Sequence, residues 1–413
     1  MSNKVFFAVI FTALLSACKD KQQENNVETP TAKTFYEIDL SKNFTGSNCN
    51  NMLLSDIVED VEYVQLETTD NVLLECYPKA RYAINQNDIY ALNIYGAEEL
   101  FRFDRATGKF ISSIGQIGQG PKDMMNPSDI YAGKDDIYVS SSNHIYIYNK
   151  DGQHIKTIPA ERSSSTFSVI NDKYFICHPR QRTHLSTGEF DKWTAVSVTD
   201  FEGNILSTKV DTLKGVTGSI LSLDYKPQRW YYNGQLNFYN EPDDMVYAVT
   251  EKGITPRYRF TLGSNKWPVS TDPMAKEHVQ YVYFRSFKET SDYLYIYWNQ
   301  NQKAYFARFD KNTHKLDIQE QESFKGRIWQ LYAYGPKNDI DGCGSYFGPS
   351  ETLEDKTGSI LFEINPNNID RVREALEKAE NVKFPEKRQQ LLKMLDERKE
   401  DDNPILVIYK LKK

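Results

Sequence analysis

IYIYNKDGQHIKTI (145–158) reads as an aromatic and β-branched strand, a turn rich in Asp, Asn and Gly, and a second strand; its recurrence decides the fold. Asn149 opens the turn by bonding its own backbone, and Gly152 supplies a positive φ. The pattern returns at LFRFDRATGKFISSI (100–114), AVSVTDFEGNILST (195–208), VYAVTEKGITPRYRF (246–260) and YFARFDKNTHKLDI (305–318). The turn-opening residues Asp104, Asn149, Asp200, Thr250 and Asp310 are separated by 45, 51, 50 and 60 residues. A repeat of about 40–50 residues is the length of a four-stranded propeller blade. A pair of β-sandwiches also gives evenly spaced strands, but at a period near 10.

Ahead of each turn lies another strand: DIYAL (88–92), DIYVS (136–140), KYFIC (173–177), QLNFY (235–239) and YLYIYW (293–298). Each blade therefore reads as inner strands A and B followed by a hairpin C–D. A sixth blade is assembled from the chain ends. PILVIYKLK (404–412) and VEYVQLE (61–67) are apolar strands without neighbours in sequence, and neither edge is safely left open. They pair as strands C and D, with inner strands expected near 328–334 and 359–364. The fold class is thus all-β, a six-bladed propeller closed by both termini. Residues 368–398 carry helical spacing at Val372, Ala375, Leu376, Ala379, Leu391, Leu392 and Leu395, so a helical hairpin interrupts the last blade. It reads either as a solvated decoration or as a lid over the channel mouth.

The chain opens with Lys4, an apolar run from Val5 to Leu15, and Leu15-Ser16-Ala17-Cys18. A short apolar stretch behind a basic start is a secretion signal, too short to span a bilayer. Residues 1–17 are read as signal peptide and residues 18–34 as a polar, flexible tether. Residues 35–413 are read as the propeller. No later segment has the ~20 apolar residues of a membrane span. A net charge of −7 without a basic block argues against nucleic acid. Cys49, Cys76, Cys177 and Cys343 form no CxxC pair, so a zinc knuckle is not indicated. Their three possible pairings stay open, with free thiols as the default.

Several of these stretches resemble known families. Leu15-Ser16-Ala17-Cys18 resembles a bacterial lipobox, which implies lipidation of Cys18, loss of residues 1–17 and anchoring in the outer membrane of the cell envelope. An ordinary signal peptide with a chance Cys is the alternative. Asp20 and Glu24 resemble the acidic signals of surface-directed lipoproteins, or serve only as a soluble spacer. NPSDIYAGKDDIYVSSSNHIYIYNKDGQHIKTI (126–158) resembles an NHL-type blade, departing from it at Ser140. VEYVQLETTD (61–70), IGQIGQGPKDM (114–124) and NPILVIYKLKK (403–413) resemble six-bladed propeller lipoproteins of Gram-negative, Bacteroides-type bacteria. That resemblance implies the fold and no settled activity.

Motifs for chemistry are sparse. The six histidines form no HxxxH or HxH pair, and His178 and His184 are poorly spaced for a metal, so no metal or cofactor is expected. There is no GxSxG elbow. GQIGQG (115–120) lacks a following helix, which removes the basis for phosphate binding, and reads as a tight crossover between blades. Arginine and aromatic residues do gather near the inner strands: Arg180, Arg182, Arg229, Trp230, Tyr283 and Arg285. Guanidinium groups suit carboxylates or phosphates, and aromatic faces suit sugars or apolar groups; salt bridges and core packing are the competing use. Two function classes follow. One is an envelope propeller that binds or scaffolds a glycan, a peptide or an envelope protein. The other is a propeller enzyme, a lyase or glycoside hydrolase, with its site at the channel mouth. Strand direction puts the D–A and B–C connections on one face, where a ligand is expected. The tether is expected at the opposite face, carrying the C–D turns, unless residues 35–60 wrap around the side.

Overall fold

The computed structural model describes residues 35–49, 52–75, 80–94, 99–120, 122–141, 144–159, 164–170, 174–179, 191–213, 228–239, 243–250, 252–267, 280–321, 335–344 and 359–412. Two strands precede the repeats, β1 (Tyr36–Asp39) and β2 (Val58–Gln65). Blade one is β3 (Ala80–Ile84), β4 (Asp88–Asn93), β5 (Glu99–Asp104) and β6 (Phe110–Ser113). Blade two is β7 (Pro127–Ala132), β8 (Asp136–Ser141), β9 (His144–Asn149) and β10 (His154–Pro159). Blade three is β11 (Ser164–Ile170), β12 (Tyr174–Pro179), β13 (Asp191–Asp200) and β14 (Ile205–Leu213). Blade four is β15 (Gln228–Tyr232), β16 (Gln235–Tyr239), β17 (Met245–Thr250) and β18 (Gly253–Thr261). Blade five is β19 (Tyr283–Glu289), β20 (Tyr293–Gln300), β21 (Lys303–Asp310) and β22 (Leu316–Gln321). Then come β23 (Ser359–Ile364), the helices α1 (Ile369–Lys378) and α2 (Pro385–Glu397), and β24 (Ile405–Leu411). Each blade is an antiparallel sheet with its strands in sequence order, and the architecture is a propeller.

The turn-opening residues act as their chemistry requires. Asp104 Oδ1 accepts from the Thr107 amide at 2.8 Å, Asn149 Oδ1 from the Gln153 amide at 2.9 Å, Asp200 Oδ1 from the Asn204 amide at 2.8 Å, and Asp310 Oδ1 from the Thr313 amide at 2.8 Å. Blade four uses the weaker hydroxyl, with the Lys252 amide 3.2 Å from Thr250 Oγ1. These bonds close the C–D turns and set the register of each outer hairpin.

The closing sheet has the order β2-β24-β23. The C-terminal strand lies in its centre, antiparallel to both neighbours, with Val64 opposite Leu406 and Phe362 opposite Val407. The chain ends therefore do share one sheet. The blade count needs correction: five sheets have four or five strands, and the closing sheet has three among the described residues. The inner strand expected near 328–334 lies outside the described residues.

Residues 36–49 and 52–57 run around the side. β1 adds in parallel to the outer edge of β18, with Tyr36 opposite Tyr258, and makes blade four five-stranded. The segment then crosses the edge of blade five, where the Glu320 amide donates to the Ser47 carbonyl at 2.7 Å, before β2 begins. The first described residues thus meet the ring at blade four, two blades away from the closing sheet, which is the alternative in which the segment wraps around the side.

The helical hairpin is present, but it packs lengthwise. Val372, Leu376, Leu391 and Leu395 are buried against Val61 and Tyr63 of β2 and Ile405 and Val407 of β24. Its tip meets the start of β2: the Lys383 ammonium donates to Ser55 Oγ, and the Lys383 amide donates to the Asp339 carbonyl at 2.8 Å. Amphipathic helices bury their apolar stripe against whichever sheet face is available; here that face belongs to the closing sheet, so the hairpin reaches from one face of the ring to the other.

Candidate functional site

The inner strands β7, β11, β15 and β19 run from the crossover face, which carries the D–A and B–C connections, toward the hairpin face, which carries the A–B and C–D turns. Their starts therefore line the channel end where a ligand was expected. Tyr283 and Arg285 stand there together on β19, both half-buried, with the guanidinium 5.4 Å from the Tyr283 ring centroid. A β-bulge between Phe284 and Ser286 sets Arg285 out of the regular alternation.

Two other candidates serve the ring itself. Arg229 of β15 reaches across blade three: Nη2 lies 2.9 Å from Asp129 Oδ2 of β7, and Nη1 donates to the Phe167 carbonyl of β11. The Phe167 amide donates to the same Asp129 oxygen at 3.1 Å. Trp230 points the opposite way, stacks on Phe287 at 4.9 Å and donates from Nε1 to Glu289 Oε2 at 2.9 Å. Arg180 and Arg182 lie outside the described residues, as do Cys18, Cys76 and His184. Cys49 and Cys343 are free thiols, and burial pushes the Cys343 thiol well up.

The glycine-rich crossover encloses its own anion. The Gly120 amide donates to Asp123 Oδ2 at 2.8 Å, and a Cβ built on Gly118 would stand 2.5 Å from that oxygen. Glycine is needed because the loop wraps a carboxylate of the chain. The expectation of a structural crossover agrees with this geometry.

A family model described as a domain of unknown function, DUF4934, matches residues 35–410. The chain belongs to the DUF4934 family. A comparison with curated proteins finds no match for this DUF4934 chain. Among similar solved structures is a Bacteroides fragilis protein named for its inferred export, 17% identical, with a TM-score of 0.60 over 92% of this chain and 100% of that one. A member of the DUF4221 family from Bacteroides vulgatus is 10% identical, with a TM-score of 0.41 over 64% of this chain and 86% of that one. A protein of unknown function from Bacteroides caccae is 10% identical, with a TM-score of 0.36 over 67% and 82%. The first of these supports the fold; the other two are too distant to carry an argument.

Sequence reading missed the buried charges of the DUF4934 ring. Glu289, at the end of β19, accepts from Trp230, from Tyr258 at 2.7 Å, from Lys311 at 3.1 Å and from Arg257. Burial holds the Lys311 ammonium below its ordinary value despite that carboxylate, and drives the Tyr258 phenol far up. Asp341 is a second buried hub, accepting from Tyr63 OH at 2.5 Å and from Asn338 Nδ2 at 2.8 Å. Lys288, one residue before Glu289, is buried on the other face of β19, and desolvation pulls its ammonium down to about 8. The available signal was a Lys-Glu pair, Lys288-Glu289, ending an aromatic strand. A charge in a strand buried on both faces must find a partner or change its protonation.

Proposed function

We propose that this chain is a cell-envelope lipoprotein, anchored through Cys18 to the outer membrane, whose propeller binds a polar ligand at the crossover face. The observation that carries the binding reading is the Tyr283–Arg285 pair. Arg229 and Trp230 are held by groups of the ring, and Tyr283 and Arg285 stand together, half-buried, at the start of β19. A guanidinium beside an aromatic ring suits a carboxylate or phosphate attached to a flat apolar unit, as in glycans or peptides. The anchoring reading is supported by Leu15-Ser16-Ala17-Cys18 and by the absence, among the described residues, of any helix long and apolar enough to cross a membrane. The ring itself we read as six-bladed and NHL-like, with residues 328–334 as the innermost strand of the closing sheet.

Two experiments test this. Cys18→Ala should leave the protein released or unprocessed, and normal lipid labelling of that variant would end the anchoring reading. Glycan and peptide panels probed with wild-type protein and with Tyr283→Ala and Arg285→Ala should show ligands lost in both variants. Identical panels for all three proteins would reject the site.

A further inference from the structure

Asn299 lies at the crossover end of β20, directly opposite Tyr283 in the β19–β20 register. It is only 3% exposed, and among the described residues neither its Oδ1 nor its Nδ2 has a hydrogen-bond partner. A buried amide with both ends unmet is rare in native proteins, because each unmet group forfeits the bonds it made to water. The fold tolerates this cost beside the Tyr283–Arg285 pair. Opposed strand residues share a face, so Tyr283 stands beside the amide.

We propose that Asn299, Tyr283 and Arg285 form one recognition subsite for a sugar acid of the uronate type. This rests on the crossover-face binding reading and names its ligand class. The Asn299 amide offers a donor and an acceptor that match two adjacent hydroxyls, each of which can donate or accept. The Arg285 guanidinium takes the carboxylate in a two-point contact. The Tyr283 ring packs on the apolar face of the sugar. The three groups span two residues of one strand and one of its neighbour, about the width of a single sugar ring at 3.3 Å per residue. No covalent step is involved.

Calorimetry with the full chain tests this, using glucuronate, glucose, acetate and a short dipeptide as probes. Glucuronate should bind at least tenfold more tightly than each of the others, since acetate and the dipeptide lack the hydroxyls that Asn299 bonds and glucose lacks the carboxylate that Arg285 takes. Asn299→Leu should weaken glucuronate at least tenfold and melt no lower than wild type, because it removes an amide that the fold itself does not use. Asn299→Ala should weaken glucuronate to the same degree, which guards against a packing artefact of leucine. Unchanged glucuronate affinity in both variants, preference for the dipeptide, or no preference for glucuronate would each overturn the proposal. So would a clear drop in melting temperature for Asn299→Leu. If panel ligands are still lost in Arg285→Ala while glucuronate fails, the crossover-face reading stands and this deeper one falls.

Discussion

Arg229 of blade four and Asp129 of blade two are joined by a 2.9 Å ion pair that passes the inner strand of blade three. Both side chains are largely buried, and the carboxylate also takes the Phe167 amide. Three consecutive inner strands are thereby tied at one level of the channel. Removing one member of a buried pair strands the other, typically at about 3–5 kcal/mol. Arg229→Ala should therefore lower the stability measured by denaturant unfolding by about 3 kcal/mol. A paired Asp129→Leu/Arg229→Met replacement should recover most of that loss. A loss below ~1 kcal/mol for Arg229→Ala would show that the pair is not holding the strands.

Glu289 ties blade four to blade five from the hairpin end. Glu289→Gln keeps the shape but leaves Arg257 and Lys311 without their carboxylate. We expect a stability loss of about 3 kcal/mol and a change in Trp230 fluorescence, because the indole N–H bonds to that carboxylate. Unaltered emission would separate Trp230 from the hub.

Lys288 gives a pH signature. Its value of about 8 lies below the ordinary 10.5, so the folded chain releases this proton before the unfolded chain does. Folding is therefore opposed at neutral pH, and stability rises as pH climbs from about 8 toward 10.5. Lys288→Met should raise stability at pH 7, by up to about 3 kcal/mol, and flatten that rise. A variant with the wild-type slope over that window would assign the slope to other groups.

Leu406 is fully buried in the centre of the closing sheet, opposite Val64. Leu406→Ala should cost about 2–5 kcal/mol, and removing residues 404–413 should abolish cooperative unfolding of the whole ring. A truncated chain that melts as sharply as wild type would show that the ring does not depend on its last strand.

The periodic part of the fold was legible because it is written in local chemistry. Asp104, Asn149, Asp200 and Asp310 announce turns that they then bond, and the pairing of 61–67 with 404–412 follows from two apolar edges that need each other. The wrapping of the segment that begins at Tyr36 stood only as an alternative, and its partner was not legible, since a four-residue strand such as Tyr36–Asp39 carries too little pattern to name one. The site was harder still. Arg229 and Arg285 look alike in sequence, each set among aromatic residues near the start of an inner strand. What separates them is an Asp exactly one hundred residues away in the chain for Arg229, and a backbone bulge for Arg285. Neither is a local property.

That separation is also the most direct test of the account. Melting temperature and panel binding should be measured side by side for Arg229→Ala and Arg285→Ala. We expect Arg229→Ala to melt clearly lower, and Arg285→Ala to melt like wild type while losing its glycan or peptide ligands. An Arg285→Ala variant that binds the panels like wild type, or that loses stability as Arg229→Ala does, would contradict a ligand site at the crossover face.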